Sequence, residues 1–190
     1  VRSPALAALC LWSLAAHLPA EPPAGPYLLS VVAISDATGI RGPQLGLLAG
    51  GRIRVSDSIA LLVELSVLHS PKLDAGDGYL LGATFDVEHW GKRWYGALGV
   101  SWAVQETSAY SKEAWAPRLT IGRQAASLRL SATWRPADST PNRTHSLGVE
   151  LEWWQGRGIF RIGLAWLRHR DGSGLRLSAG LGLDFRHLGK

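Results

Sequence analysis

Cysteine occurs once, at Cys10, and methionine not at all. A single thiol excludes an intrachain disulfide framework and any zinc site built on cysteines. Charge is scarce as well: 18% of residues are Asp, Glu, Lys or Arg, against roughly 25% in an average soluble protein. Among the 20 basic residues, lysine supplies only Lys72, Lys92, Lys112 and Lys190. The net charge of +5 is not gathered into basic clusters, which excludes a typical nucleic-acid binder. With 46% apolar residues the chain is not disordered. Beyond residue 26 no apolar run approaches the roughly 18–20 residues of a membrane-spanning helix. Glycine, at 22, and tryptophan, at nine, are abundant in a chain of 190 residues. That length suits one domain with a targeting segment.

The chain begins with one cation, Arg2, and an apolar run from Pro4 to Ala16, followed by His17-Leu-Pro-Ala20. A cationic start, a short apolar stretch and a small-residue exit read as a secretory signal peptide over residues 1–20. A buried N-terminal helix is the alternative. Residues 21–26, Glu-Pro-Pro-Ala-Gly-Pro, read as a rigid linker, and residues 27–190 as the folded domain.

In that domain apolar residues recur with a period of two. Leu147, Val149, Leu151 and Trp153 alternate with Gly148, Glu150, Glu152 and Trp154; Leu177, Ala179, Leu181 and Leu183 alternate with Ser178, Gly180, Gly182 and Asp184. Alternate side chains leave a pleated strand on opposite faces, so these are strands. The pattern predicts about ten, with eight as the fallback: 27–35, 43–55, 58–69, 79–90, 94–104, 115–123, 126–135, 145–155, 159–169 and 175–186. Tight turns at 56–57, 91–93, 124–125 and 156–158 alternate with longer polar connections at 36–42, 70–78, 105–114, 136–144 and 170–174. In an up-and-down meander the two kinds of connection lie at opposite rims.

Alternation does not say which face is wet. Three features turn the apolar face toward lipid and the polar face inward. Small residues crowd the polar face, including Gly46, Gly82, Gly99, Gly148 and Gly180, where an exposed sheet would lose stability to glycine. The charges there are arginines and carboxylates without lysine: Arg52, Arg54, Arg118, Arg129, Arg135, Arg161 and Arg176 against Glu64, Asp86, Glu88, Glu150, Glu152 and Asp184. Guanidinium groups suit the bidentate carboxylate pairing that buried charge requires. Tyr79, Trp90, Trp94, Trp102, Trp115, Trp134, Trp153 and Trp166 fall near strand ends, as in the aromatic girdles at membrane interfaces. The expectation is a closed all-β transmembrane barrel with an interior charge network and an aromatic girdle.

This pattern resembles the small outer-membrane β-barrel proteins of Gram-negative bacteria, at the level of the class and of no one family. The class has an even strand number, short periplasmic turns, long outward loops and a last strand ending in Phe; Phe185 after Leu183, Leu181, Ala179 and Leu177 looks like that ending, with Arg186–Lys190 following it. The resemblance implies an outer-membrane location, contact with lipid and lipopolysaccharide, and the outer-membrane insertion machinery as partner. The expected function is structural or surface-interacting and non-enzymatic, with a largely plugged interior and at most weak channel activity. One alternative is a lipid-A-modifying hydrolase. The pairs His69-Ser70 and His145-Ser146 lie at the long-loop rim, but adjacent strand residues face opposite ways, and the His-x-Ser spacing of such deacylases is absent. A second alternative is a soluble periplasmic barrel holding an apolar ligand, with Leu98, Val149, Leu164 and Leu181 inside. No cofactor or metal is implied: Asp74-Ala-Gly-Asp77-Gly is too short for a calcium loop. Arg41, Lys72, Lys112, Arg143 and Arg170 scatter positive charge along the long-loop rim, where lipopolysaccharide phosphates would meet it.

Overall fold

The computed structural model describes residues 24–37, 40–73, 76–109, 111–125, 127–136, 145–155, 157–169 and 172–185. The expected signal segment, Cys10, most of the 21–26 linker, Arg143, Arg170 and Lys190 lie outside them.

The alternating segments form ten strands: β1 (Gly25–Ala37), β2 (Ile40–Arg54), β3 (Ile59–Leu73), β4 (Gly76–Trp90), β5 (Trp94–Thr107), β6 (Ser111–Ala125), β7 (Leu128–Arg135), β8 (His145–Gln155), β9 (Gly158–His169) and β10 (Gly172–Asp184). Each pairs antiparallel with its sequence neighbours, and β1 pairs with β10, closing the barrel. Closure runs from Tyr27↔Asp184 to Ser35↔Arg176, and the Phe185 amide donates to the Pro26 carbonyl at 2.9 Å, carrying the seam one residue further. A closed ladder leaves no strand edge unpaired.

Strand number and order agree with the sequence pattern, but most connections at the long-loop rim are shorter than expected. Strand pairing continues through 36–37, 40–42, 70–73, 76–78, 105–107, 111–114 and 172–174. Polar side chains there suggested loops, yet main-chain hydrogen bonding does not depend on side-chain polarity. The bend in β2 has a local cause: its register against β3 shifts between Ile40 and Leu45, and Gly42 within that interval sits at φ 88°, a left-handed conformation that other residues adopt at a cost.

The polar face points inward. On β8, Leu147, Val149 and Trp153 are 50%, 49% and 43% exposed while Glu152 is 1% exposed. Leu98, Val149, Leu164 and Leu181, which the soluble-barrel alternative requires inside, are all exposed on the outer surface. The outer apolar positions run from Leu45 on β2 to Val55, one residue past its end. That is about 33 Å along the strand, or about 25 Å along the barrel axis at a tilt near 40°, the height of a membrane barrel's apolar band.

The interior is less uniformly polar than the sequence suggested. Tyr27, Leu29, Ala60, Leu62, Trp90, Tyr95, Ala97, Trp154 and Ile159 form a buried apolar cluster inside the barrel. Its aromatic members sit next to the short turns, with Trp90 edge-on to Tyr95 at 4.9 Å and to Trp154 at 6.3 Å between ring centroids. The cluster occupies the turn-side end of the barrel interior.

Candidate functional site: the barrel lumen

Immediately on the loop side of those aromatics, six charged side chains meet. One row of the ladder, crossing three strands, builds half of the group locally. Arg129 on β7 is registered with Glu152 on β8, and Glu152 with Arg161 on β9. Glu152 therefore lies between two arginines on the inner wall, and ion pairs form at 3.0 Å to Arg129 Nη2 and 2.6 Å to Arg161 Nη2.

The other half comes from across the lumen. Arg52 on β2 sets its Nε 3.0 Å from Glu88 Oε2 and its Nη2 3.4 Å from Glu152 Oε1. Glu64 on β3 takes Arg161 Nη1 at 2.9 Å and accepts a hydrogen bond from the Tyr27 hydroxyl. Glu88 also accepts from Tyr95 Oη at 2.8 Å and Trp90 Nε1 at 3.1 Å. The guanidinium groups of Arg52 and Arg129 lie over the Trp90 ring at 5.7 and 5.6 Å, and Arg129 over Tyr95 at 4.5 Å, within cation–π range. Three guanidinium groups thus balance three carboxylates, and aromatic faces supply the rest of their surroundings. That is the arrangement under which buried charge is tolerated.

The remaining predicted interior charges are spread out. Glu150 lies 3.6 Å from Arg161 Nε and 3.7 Å from Arg129 Nη2. Arg118 is 3.5 Å from Asp86 and donates to Thr84 Oγ1 at 3.0 Å. Asp184 is buried on the inner face of β10 beside the turn rim. Arg135 and Arg176 line the loop-side lumen.

Arg54 does not join the network. It is the last residue of β2, with 38% of its side chain exposed, and its Nη2 pairs at 2.9 Å with Asp57 in the adjoining turn. The inward parity it shares with Arg52 loses its meaning where the barrel wall ends. Exposed pairs of this kind contribute about 0–1 kcal/mol, so Arg54→Ala is expected to leave the denaturation midpoint almost unchanged in a urea titration.

Of the predicted girdle residues, Tyr79, Trp94, Trp115, Trp134, Trp153 and Trp166 are exposed on the outer surface, and Trp102 is half-buried against Trp115 with ring centroids 6.3 Å apart. Trp90 is the exception. It shares a face with Asp86 and Glu88, points inward, and is 4% exposed; position near a strand end suggested a girdle, but the two-residue period decides the face. The same parity turns Tyr27 and Tyr95 inward, as it does Trp154, which shares the face of Glu150 and Glu152.

Tyr27 depends on a glycine. Its ring lies over Gly50, its partner in the β1–β2 ladder, and a Cβ at Gly50 would stand 2.6 Å from the ring and hydroxyl. Gly50→Leu is therefore expected to expel the ring and remove the hydrogen bond to Glu64. Overpacking of this kind costs about 1–3 kcal/mol, which a lowered urea midpoint would report.

At the loop rim, His69 pairs with Asp77 at 2.6 Å and packs against Tyr79. Ser70 is fully buried on the opposite face, and Ser146 lines the lumen while His145 is exposed on the outside. Neither His-Ser pair converges.

The fold thus defines a closed up-and-down barrel with an apolar exterior and an ionic interior. No protein-family model matches the sequence, and no curated protein matches it. Among solved structures, the chain is similar to the N-terminal β-barrel domain of Pseudomonas aeruginosa OprF. Identity is 13%, covering 85% of this chain and 97% of that chain, with a TM-score of 0.40. It is also similar to Ail, the attachment invasion locus protein of Yersinia pestis, at 11% identity over 85% of this chain and 99% of that one, with a TM-score of 0.37.

Proposed function

We propose that this protein is a structural or surface-interacting β-barrel of a Gram-negative outer membrane, in which the ionic cluster and the aromatics beneath it close the lumen. The observation that carries this reading is the orientation of the strands. Leucine, isoleucine, valine and tryptophan face outward around the circumference, while arginine and glutamate pair inside. Water on the outside would leave an apolar surface far larger than a soluble monomer tolerates; acyl chains make the same surface favourable. The pairing of Arg52, Arg129 and Arg161 with Glu64, Glu88 and Glu152 supports a plug rather than a conduit, because the groups satisfy one another across the lumen. Lipid and lipopolysaccharide would surround the barrel, and the outer-membrane insertion machinery would place it.

The test is fractionation combined with gel migration. The expected result is recovery with the outer membrane and a faster-migrating band without heating, which shifts on boiling. Recovery in the soluble periplasmic fraction with no heat-dependent shift would overturn the reading. Single-channel recording in planar bilayers addresses the plug: the expected trace is closed or carries rare small openings, and a steady large conductance would contradict it.

A further inference from the structure

Loop-side of the ionic cluster the lumen is not filled. A cavity of about 390 Å³ remains, floored by Glu64, Arg129 and Arg161, within the roughly 300–1,000 Å³ typical of small-molecule sites. Its walls are unlike each other. Leu29, Val31, Leu48, Leu68 and Leu80 face it from β1 to β4, and Arg118, Arg135 and Arg176 face it from β6, β7 and β10.

The arginine wall is short of counter-charge. Arg118 has Asp86 at 3.5 Å, but no ion pair forms at Arg135 or Arg176 among the described residues. The Nε atoms of Arg118, Arg135 and Arg176 are each buried without a hydrogen-bond partner, as is Arg129 Nε in the floor, where carboxylates nevertheless stand within ion-pair distance of Arg129. Arg118 and Arg176 repel Arg135, while Asp86 and Glu150, the latter also lining the cavity, attract it less strongly. The turn-side cluster balances each guanidinium with a carboxylate; this wall does not. Unpaired buried donors are costly, and an anion in the cavity would remove that cost. An anion alone would leave the leucine wall against water, while a hydrocarbon alone would leave the guanidinium groups unpaired.

We propose that the loop-side lumen binds an anionic amphiphile with one hydrocarbon chain, its carboxylate or phosphate head held by Arg135 and Arg176 and its chain laid against the leucines of β1–β4. This goes beyond the structural role above.

The experiment is equilibrium binding of radiolabelled dodecanoate to the chain in phosphatidylcholine nanodiscs, with empty nanodiscs subtracted. One saturable site per barrel is expected. The Arg135→Gln/Arg176→Gln variant removes two charged donors, and its affinity is expected to fall at least about tenfold. Ser178→Phe puts a ring into the cavity and leaves both arginines in place; it is expected to abolish the saturable site. Dodecanol, which has the chain without the charge, is expected to bind at least about tenfold more weakly than dodecanoate. Heat-modifiable migration selects the variants that are folded, so lost binding is not lost structure.

The proposal is overturned by non-saturable uptake by the wild-type chain, by equal affinity for dodecanoate and dodecanol, or by displacement of dodecanoate by an equal concentration of inorganic phosphate. A wild-type chain that migrates as a folded barrel yet takes up no dodecanoate removes the ligand site and leaves the structural role standing.

Discussion

Glu152→Gln is expected to lower the stability of the bilayer-inserted barrel by about 3–5 kcal/mol, the usual cost of removing one partner from a buried ion pair. Glu152 is the shared acceptor of the lumen: Arg52, Arg129 and Arg161 all reach it, at 3.4, 3.0 and 2.6 Å. The substitution keeps the shape and one acceptor oxygen but turns an amide donor toward guanidinium groups that offer only donors. Three cations then share Glu64 and Glu88, with Glu150 at the margin. Urea unfolding from phosphatidylcholine vesicles, followed by tryptophan fluorescence, is expected to show a lower midpoint with an unchanged slope, since the surface exposed on unfolding stays the same. An unaltered midpoint would mean that the six paired groups do not hold the lumen together. The size of the effect follows from asymmetry: a complete buried network adds little net stability over apolar packing, whereas a broken one leaves charge stranded away from water.

The second large effect is expected on the outer surface. Leu164 lies midway along β9 and faces outward, half exposed. If acyl chains cover it, Leu164→Arg costs about 2–4 kcal/mol, the penalty for a cation at the bilayer midplane on a barrel's lipid face. Ile53, also exposed but beside the turn at the end of β2, is expected to cost only about 0–1 kcal/mol as Ile53→Arg, since the penalty fades toward the interface. The contrast between the two sites is the informative quantity, because both remove a branched apolar side chain from the surface of a strand. Matched small losses at both would argue for water on the outside.

Strand number, order and facing were legible in the sequence because one physical rule, the two-residue period, governs every element from β1 to β10. Sequence and structure part where a second feature competes with that rule. Trp90 lies near a strand end, as a girdle residue would, but shares parity with Asp86 and Glu88 and faces inward. Arg54 has inward parity, but the wall stops there and Asp57 in the turn offers a nearer partner. Hairpin tips such as 70–73 and 111–114 read as loop because their side chains are polar, but pairing there is between main chains.

The ionic cluster was legible only in part. The row Arg129, Glu152 and Arg161 follows from antiparallel register between neighbouring strands, β7 with β8 across the connection at 136–144 and β8 with β9 across the short turn at 156–158. Arg52, Glu64 and Glu88 join it by reaching over the lumen, which depends on the curvature and closure of the whole sheet. The two-walled character of the cavity was hidden for a related reason: leucines on β1–β4 and arginines on β6, β7 and β10 share one inner face, and only closure sets them opposite each other.

The measurement that tests the account most directly is a fluorophore scan along β8 in vesicles containing brominated lipid. Single cysteines at Leu147, Val149 and Leu151, in a chain lacking Cys10, are expected to carry labels quenched by the bromines; labels at Ser146, Gly148 and Glu150 are expected to escape quenching. Quenching of the second set and not the first, or of neither, would show that the greasy face of the barrel does not meet lipid.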